Sequence, residues 1–190
     1  MFVAYLKHLQ AWNRTFNLTS ITSDEEIVIK HFVDSFAALN AAKISSGSSL
    51  LDVGTGAGFP GIPLKIVRSD LRITLVEPVH KKTSFLRFLV GLLRLGDTEI
   101  FEGNFDQFMS DRHAAGLYDY ITTRALKPHL IMQIGARLLR PGGAAIFYSS
   151  QSMRGIGFLK PWQLTNDYAF DLPREFGKRH VSIFSPSSYE

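Results

Sequence analysis

Hydrophobic residues near the start of the chain recur at intervals of three and four residues, which places them on one side of an α-helix. They are Phe2, Tyr5, Leu6, Leu9 and Trp12. We therefore predict an amphipathic helix over residues 1–13, followed by a polar connector over residues 13–22.

A second helix is predicted to begin at Ser23. The segment Ser23–Glu26 is a capping box, in which the serine hydroxyl and the Glu26 carboxylate bond to backbone N–H groups that the first turn leaves free. Its predicted inner face consists of Ile27, Val28, His31, Phe32, Ser35, Phe36 and Leu39. A serine-rich loop at residues 45–49 follows. We predict a helical N-terminal attachment, residues 1–45, and a second domain, residues 46–190.

After this loop, short apolar runs alternate with stretches of helical periodicity. The predicted strands are Leu50–Val53, Ile73–Val76, Thr98–Phe101, Tyr118–Thr123 and Ala144–Tyr148. The predicted helices cover residues 61–68, 80–95, 105–113 and 128–139. Such alternation is typical of right-handed crossovers, and it predicts an α/β domain with a parallel, doubly wound sheet.

The C-terminal part of the chain has a different pattern. Pro141–Gly143 is predicted to end the last long helix and to turn into the fifth strand. Tyr168–Leu172 and Arg179–Phe184 are predicted to form an antiparallel hairpin. The hairpin brings the predicted sheet to seven strands, most of them parallel.

Composition excludes several classes of protein. The sequence of 190 residues is 45% hydrophobic and 20% charged, as expected for a domain with a hydrophobic core. No apolar run reaches the roughly 18 residues that span a bilayer, and no export signal is recognisable, so we expect a cytoplasmic protein. Without cysteine, disulfides, thiolate metal sites and thiol nucleophiles are excluded. The net charge of +4 favours polyanion binding, but it also fits a basic surface without a partner.

A glycine-rich turn follows the first predicted strand. Gly54, Gly56 and Gly58 let the backbone bend sharply and approach a ligand closely. Pro60 or Pro63 can occupy the first turn of the next helix. In doubly wound sheets, ligands bind in the crevice beyond the strand ends at such a turn.

Two cofactors compete for this turn. Residues 56–61 match the G-x-G-x-x-G spacing of dinucleotide-binding loops, a weak signal by itself. Asp52, at the strand end, would repel a pyrophosphate, whereas it suits the ammonium group of S-adenosylmethionine. Glu77 ends the second strand and is placed to accept hydrogen bonds from ribose hydroxyls. We therefore predict S-adenosylmethionine as the cofactor and keep a nicotinamide dinucleotide as the alternative.

Leu50–Leu64 (LLDVGTGAGFPGIPL) resembles the nucleotide loop of the bacterial 16S rRNA guanine-N7 methyltransferases, also called glucose-inhibited division protein B. The similarity continues outside this loop and spans roughly residues 5–148. Further matching blocks are Trp12–Thr19 (WNRTFNLT), His31–Ser35 (HFVDS), Lys81-Lys82 with Phe85-Leu86, and Thr123-Arg124-Ala125. The N-terminal blocks are not shared by methyltransferases in general, so the resemblance is specific.

The resemblance implies the Rossmann-like class I S-adenosylmethionine-dependent methyltransferase fold with N-terminal helices. It also implies donor binding at Gly54, Phe59, Glu77, Phe105, Asp106 and Arg124. With the residues of the loop itself, the predicted cofactor-binding set is Asp52, Gly54, Gly56, Gly58, Phe59, Glu77, Phe105, Asp106 and Arg124.

Two positions depart from the family pattern. Asn104 stands where the family usually has arginine, and Tyr148–Ser150 replaces a lysine–glycine pair. Both positions lie on the predicted ligand edge of the sheet. They leave open a methyltransferase acting on a small molecule or protein, and a non-catalytic nucleotide-binding or RNA-binding relative.

Residues that are absent narrow the predicted reaction. Methylation at C5 of a pyrimidine needs a thiolate, which this sequence lacks. Methylation of an exocyclic amine usually needs an Asn/Asp-Pro-Pro-aromatic turn, whereas this chain has residues 122–125, TTRA. Guanine N7 carries a free lone pair, so alignment with the methyl group suffices and no catalytic base is expected. Arg124 beside N7 would block the nucleophile, so we assign it to the donor carboxylate or an RNA phosphate, with a structural ion pair as the alternative.

The substrate-binding candidates are His31, Arg124, Lys81 and Lys82. His31 and Asp34 lie three residues apart and fit a hydrogen-bonded pair better than a metal site, because no further ligands accompany them. Arg179 belongs to a set of basic residues that fit either phosphate contacts or a solvated face. The helix after the second strand is expected to bury Phe85, Leu86, Leu89, Leu92 and Leu93. We expect a monomer that binds 16S rRNA or the small ribosomal subunit, without a metal or a membrane.

Overall fold

The computed structural model describes residues 1–111, 116–124, 128–155 and 161–186. Its centre is a seven-stranded sheet with the strand order β3-β2-β1-β4-β5-β7-β6. The strands are β1 Ser49–Val53, β2 Arg72–Glu77, β3 Thr98–Glu102, β4 Tyr118–Thr123, β5 Leu139–Ser149, β6 Trp162–Asp171 and β7 Lys178–Pro186. The predicted α/β fold with a doubly wound, mostly parallel sheet is confirmed.

The order of the strands reverses between β1 and β4. β1 pairs in parallel with β2 on one side and with β4 on the other, and Asp52 lies opposite Thr122 across that second pairing. Helices connect the parallel strands. A crevice at the carboxyl ends of β1 and β4 is therefore the expected place for a ligand.

The helices that flank the sheet are short. They are α4 Gly61–Val67, α5 His80–Leu93, α6 Phe105–Asp111 and α7 Pro128–Ile134, the last continued by a 3-10 turn at Gly135–Leu138. The predicted helix over residues 105–113 extends beyond the described residues at positions 112 and 113. All four helices begin at the residue that the sequence predicts.

The N-terminal helices differ from the prediction in two respects. α1 covers Phe2–Phe16, three residues further than the apolar stripe indicates. After the Ser23 cap, whose hydroxyl accepts a hydrogen bond from the Glu26 N–H, α2 Asp24–Ile27 continues through a π-helical segment, Val28–Val33, into α3 Asp34–Ala41. The wider π turn shifts the buried face, because Val28 is 37% exposed and Ile29 is buried instead. The prediction of Val28 as an inner residue was wrong.

Two further predictions are corrected along the chain. β5 begins at Leu139, so Pro141–Gly143 lies within this strand rather than before it, and the pairing with β4 shifts register there. Leu92 is 44% exposed, whereas the other apolar residues predicted as core in α5 are buried. The predicted C-terminal hairpin is confirmed as β6 and β7, which pair antiparallel.

The N-terminal helices and the sheet bury residues in one shared core. Tyr5, Leu9 and Phe32 belong to the same apolar cluster as Leu50 and Phe85. The hairpin also contacts these helices, since the Asn166 side chain donates to the carbonyl of Ala41 at 2.8 Å. The boundary at residue 45 stays a prediction. Within the described residues, no helix combines the length and the apolar character required to cross a membrane.

Candidate functional site

The glycine-rich turn leaves the end of β1 and passes over the end of β2. Gly54, Gly56 and Gly58 all have positive φ, at 71°, 63° and 107°, a region that residues with a Cβ rarely adopt. The N–H of Gly54 donates to the carbonyl of Val76 at 2.9 Å, which fixes the start of the turn to β2. A Cβ added at Gly56 would meet open space, so no other atoms cover the backbone at this point.

Asp52 lies beneath this turn and is fully buried. Its Oδ2 accepts hydrogen bonds from the Thr55 hydroxyl at 2.6 Å and from the Gly61 N–H at 2.8 Å, so it links the turn to the start of α4. Burial raises the pKa of Asp52 to about 7, although these two hydrogen bonds lower it. Its Oδ1 is buried without a hydrogen-bond partner among the described residues. A cation brought to Oδ1 would favour the ionised carboxylate.

Glu77 ends β2 beside the same turn, with only 3% of its surface exposed. Its Oε2 accepts a hydrogen bond from the Gly56 N–H at 2.9 Å, and Oε1 accepts one from the Val79 N–H at 3.1 Å. Each carboxylate oxygen has a further lone pair that can accept from a hydroxyl. The Nζ of Lys82 lies 4.0 Å from Oε1, so this predicted substrate residue lies beside Glu77. Lys81 is exposed on the same helix.

The end of β3 lies beside Glu77, since the Gly103 N–H donates to the Glu77 carbonyl at 3.1 Å. Phe105 is buried and Asp106 is exposed at the start of α6. Asn104 and Gln107 cap this helix reciprocally, each side chain accepting the other's backbone N–H at 2.8 Å. Asn104, one of the two departures from the family pattern, therefore has a structural use here. A cleft of about 620 Å³ is lined by residues of this region that include Asn104 and Asp106.

The glycine turn also contacts the N-terminal helices. The Tyr5 hydroxyl donates to the Ala57 carbonyl at 2.6 Å, and the Tyr5 ring stacks on Phe59 with centroids 5.3 Å apart. The ring of His31 stacks on Phe59 as well, at 4.4 Å. Sequence reasoning placed Tyr5 on an apolar stripe and did not foresee its contact with the turn, because a helical spacing gives the face of a residue and not its partner.

His31 does not pair with Asp34. Its Nε2 lies 3.2 Å from the Thr19 hydroxyl, whereas its Nδ1 is buried without a partner among the described residues. Burial, and then the nearby charge of Arg124, lower the pKa of His31 to about 4, so the ring is neutral at pH 7. The predicted hydrogen-bonded pair of His31 and Asp34 was wrong, since the π-helical turn directs the two side chains to different partners.

Asp34 instead contacts Arg124, which follows β4. Nη2 of Arg124 lies 3.2 Å from Oδ2 of Asp34 and donates to the Lys30 carbonyl at 2.9 Å. The structure thus shows the structural ion pair that was the alternative prediction for Arg124. Nη1 of Arg124 is buried without a hydrogen-bond partner among the described residues. The next residue of the predicted motif, Ala125, lies outside the described residues.

Two clefts flank the end of β5, where Tyr148–Ser150 departs from the family pattern. Both are lined by Tyr148, Ser149 and Ser150. The first, of about 230 Å³, is also lined by Asp34, Arg124 and Arg179; we call it the arginine cleft. The second, of about 300 Å³, is also lined by Thr123, Pro128, Phe147, Gln151, Ser152 and Met153; we call it the apolar cleft. The Tyr148 hydroxyl donates to the Ser35 carbonyl at 2.7 Å.

No group of three or more histidine, cysteine, aspartate or glutamate residues within the described ranges is arranged to hold a metal ion.

The residues of β1 and β2 that are predicted to bind the methyl donor lie together at one edge of the sheet, with Arg124 at the end of the neighbouring strand β4. Their role in binding stays a prediction.

Comparison with known proteins gives a family. Residues 1–155 match the model of the GidB family, described as rRNA small subunit methyltransferase G. A protein named ribosomal RNA small subunit methyltransferase G from Clostridium botulinum (strain Loch Maree / Type A3) is 41% identical over 125 residues, which are 66% of this chain and 52% of that protein. One of the same name from Caldanaerobacter subterraneus is 37% identical over 166 residues, 87% of this chain and 67% of that protein.

The chain thus spans about half the length of the first of these relatives and two thirds of the second. Among solved structures, a protein described as a SAM-dependent methyltransferase from Aquifex aeolicus superposes with a TM-score of 0.58 at 13% identity, covering 83% of this chain and 92% of that one. At this identity the likeness establishes the fold, which is that of the class I methyltransferases.

Proposed function

This chain belongs to the rRNA small subunit methyltransferase G family, and we propose that it transfers a methyl group from S-adenosylmethionine to N7 of a guanine in 16S rRNA. The observation that carries this proposal is the glycine turn beside Glu77 at the ends of β1 and β2. There, the positive-φ backbone of Gly56 borders open space, and it donates to the buried carboxylate of Glu77. A glycine backbone that lets a ligand approach closely, next to an acid at a strand end, suits a nucleoside.

The residues of the crevice fit each part of S-adenosylmethionine. The unpartnered Oδ1 of Asp52 suits the ammonium group, and the free lone pairs of Glu77 suit the ribose hydroxyls. Phe105 and Asp106, at the start of α6, are further donor-binding residues that the family resemblance implies. When bound, the cofactor supplies an electrophilic methyl group on a sulfonium centre. The chain has to hold the donor, exclude water and align the acceptor.

Guanine N7 requires no proton removal before it attacks the methyl group, because its lone pair is free at neutral pH. Alignment of the two reactants in a preorganised site is worth up to ~7–11 kcal/mol of the barrier. His31 is only a weak base, because burial lowers its pKa to about 4, and Arg124 is paired with Asp34, so neither residue is suited to remove a proton. Asn104 and Tyr148, the two departures from the family pattern, have structural uses, so they give no specific reason to favour another acceptor.

Two experiments test the proposal. S-adenosylmethionine at about 100 times its dissociation constant should stabilise the fold by ~2.7 kcal/mol, a shift in melting temperature of roughly 5–11 °C for a domain of this size. A comparable shift with NADH and none with S-adenosylmethionine would reverse the choice of cofactor. Incubation of labelled donor with 16S rRNA from cells that lack the protein should yield labelled 7-methylguanosine. Transfer of the label to protein or to another nucleoside would overturn the choice of acceptor.

A further inference from the structure

We infer that the arginine cleft is a phosphate site for the RNA acceptor, in which Arg124, Arg179 and Ser150 hold a phosphodiester group. This inference rests on the proposed function, since it names how the acceptor is held. The cleft has a volume of about 230 Å³ and opens at the carboxyl edge of the sheet.

Charge in this cleft favours a monoanion. Asp34 is 1% exposed and lies between two guanidinium groups, with Oδ2 3.2 Å from Nη2 of Arg124 and Oδ1 4.0 Å from Nε of Arg179. Burial raises the pKa of Asp34 above its usual value, and the charges of both arginines offset only part of this rise. With Asp34 ionised, two arginines and one carboxylate leave a net charge of +1, which one phosphodiester would neutralise.

Hydrogen-bond donors in the cleft are incompletely used. Nη1 of Arg124 is buried and has no partner among the described residues. A buried donor without a partner is unfavourable, and this one belongs to a charged group. Both arginine side chains are about a quarter exposed, at 21% and 26%, so each can reach a ligand from the cleft wall. Arginine forks match the oxygens of a phosphate. Ser149 and Ser150 also line the cleft, where the Ser149 hydroxyl already donates to the Gln151 carbonyl and accepts from the Gln151 N–H.

The position of the arginine cleft favours a phosphate of the RNA acceptor as its ligand, rather than the carboxylate of S-adenosylmethionine. Arg179 lies on β7 and Ser149 on β5, on the side of β4 that faces away from the glycine turn. Since neighbouring strands are ~4.8 Å apart, the end of β5 lies about 10 Å from the end of β1. The adjoining apolar cleft shares Tyr148–Ser150 and includes Pro128, Phe147 and Met153. A base in the apolar cleft and its phosphate in the arginine cleft would therefore lie on either side of the end of β5.

The test compares two arginine substitutions in the full chain. Arg179→Gln removes one charge from the cleft, and Arg94→Gln removes one from an exposed position after α5. Binding to an unmodified 16S rRNA transcript is measured at several salt concentrations. We expect Arg179→Gln to weaken binding about tenfold and to reduce the slope of log K against log salt by ~0.7–0.9, the contribution of one phosphate contact. Arg94→Gln should change the affinity by less than twofold.

Measuring the affinity for analogues of the methyl donor distinguishes an RNA phosphate from the donor carboxylate as the anion that the cleft binds. The ratio of the affinities for S-adenosylhomocysteine and for methylthioadenosine, which lacks the carboxylate, should be the same in the wild type and in Arg179→Gln. A smaller ratio in the variant would overturn the inference, because the cleft would then hold the donor carboxylate. Equal losses of RNA affinity in Arg179→Gln and Arg94→Gln would also overturn it, since a general basic surface explains them.

If Arg179→Gln does not fold, Arg179→Lys is measured instead, because it keeps the positive charge beside Asp34. It should lose about threefold in RNA affinity with an unchanged salt slope, since lysine cannot form the fork; wild-type affinity would contradict the inference. RNA binding does not require methyl transfer. A wild-type protein that binds rRNA and transfers no methyl group would refute the proposed function, while the arginine comparison would still decide the role of the cleft.

Discussion

The carboxylate of Glu77 accepts a hydrogen bond from the backbone N–H of Gly56 over 2.9 Å. The acid at the end of one strand therefore fixes the turn that leaves the neighbouring strand, next to the proposed ribose site. A second hydrogen bond, from the Val79 N–H, holds the other carboxylate oxygen at 3.1 Å. Together they orient Glu77 before a ligand arrives.

Replacement of this acid should weaken donor binding. In Glu77→Gln, an amide NH2 faces a backbone N–H that needs an acceptor, and one acceptor for the ribose is lost. We expect the dissociation constant for S-adenosylmethionine to rise about 10- to 100-fold, equivalent to the ~1.5–3 kcal/mol of a hydrogen bond to a charged group. Calorimetric titration measures it. Glu99→Gln, on the exposed surface of β3, is the matched control and should bind as the wild type does.

The Tyr5 hydroxyl should affect both stability and donor binding. Tyr5→Phe leaves the buried Ala57 carbonyl without its 2.6 Å hydrogen bond, at a cost of ~1–2 kcal/mol in the free energy of unfolding. Because Ala57 belongs to the glycine turn, the donor affinity should also fall several-fold. Urea denaturation and donor titration measure the two effects. Tyr120→Phe, which removes a hydroxyl bonded to the Lys43 carbonyl, should leave donor affinity unchanged; an equal loss there would refute a specific role of Tyr5.

The ion pair of Asp34 and Arg124 should stabilise the contact between the N-terminal helices and β4. Asp34→Asn leaves a mostly buried guanidinium without its counter-charge. Breaking a buried pair in this way costs about 3 kcal/mol in the free energy of unfolding, as urea denaturation would show. Asp70→Asn, in the exposed pair with Arg68, should have a much smaller effect. Similar losses in the two variants would mean that burial adds nothing to the inner pair.

The buried ring of His31 should make the protein less stable in acid. Its pKa in the folded state, about 4, is below the ~6.5 of an exposed histidine. The folded state therefore binds the proton less tightly than the unfolded state, so the contribution of His31 is complete above pH 6.5 and is lost as the pH falls towards 4. Between pH 7.5 and 5 the loss amounts to ~2 kcal/mol.

His31→Gln isolates this contribution from other groups. The stability of the wild type relative to His31→Gln should decrease by that amount from pH 7.5 to pH 5. Asp52 has the opposite sign, since its pKa is raised to about 7 and its ionisation opposes folding as the pH rises. Because Asp52 is present in both proteins, it cancels in the comparison. A difference that is independent of pH would show that the ring is not the responsible group.

Local signals in the sequence predicted most of the fold. The Ser23 cap, the glycine turn after β1 and the strand–helix alternation depend on neighbouring residues, and the structure has all three. Features that depend on distant contacts were missed. The π-helical segment shifted burial from Val28 to Ile29, because tertiary packing of the N-terminal helices overrides the simple helical period.

The same limit applies to the candidate site. Asp52 and Glu77 were found because each ends a strand next to the glycine turn. Tyr5 and Arg179 were not assigned to it, since their partners, Ala57 and Asp34, are 52 and 145 residues away along the chain. A single sequence does not indicate which distant residues meet.

Mapping of 7-methylguanosine in 16S rRNA tests the central claim most directly. Chemical cleavage at this base is compared between cells that contain the protein, cells that lack it, and cells that carry Glu77→Gln. We predict one guanine whose methylation is absent without the protein, restored by the wild type, and restored poorly by Glu77→Gln. An identical modification pattern in 16S rRNA with and without the protein would contradict the account.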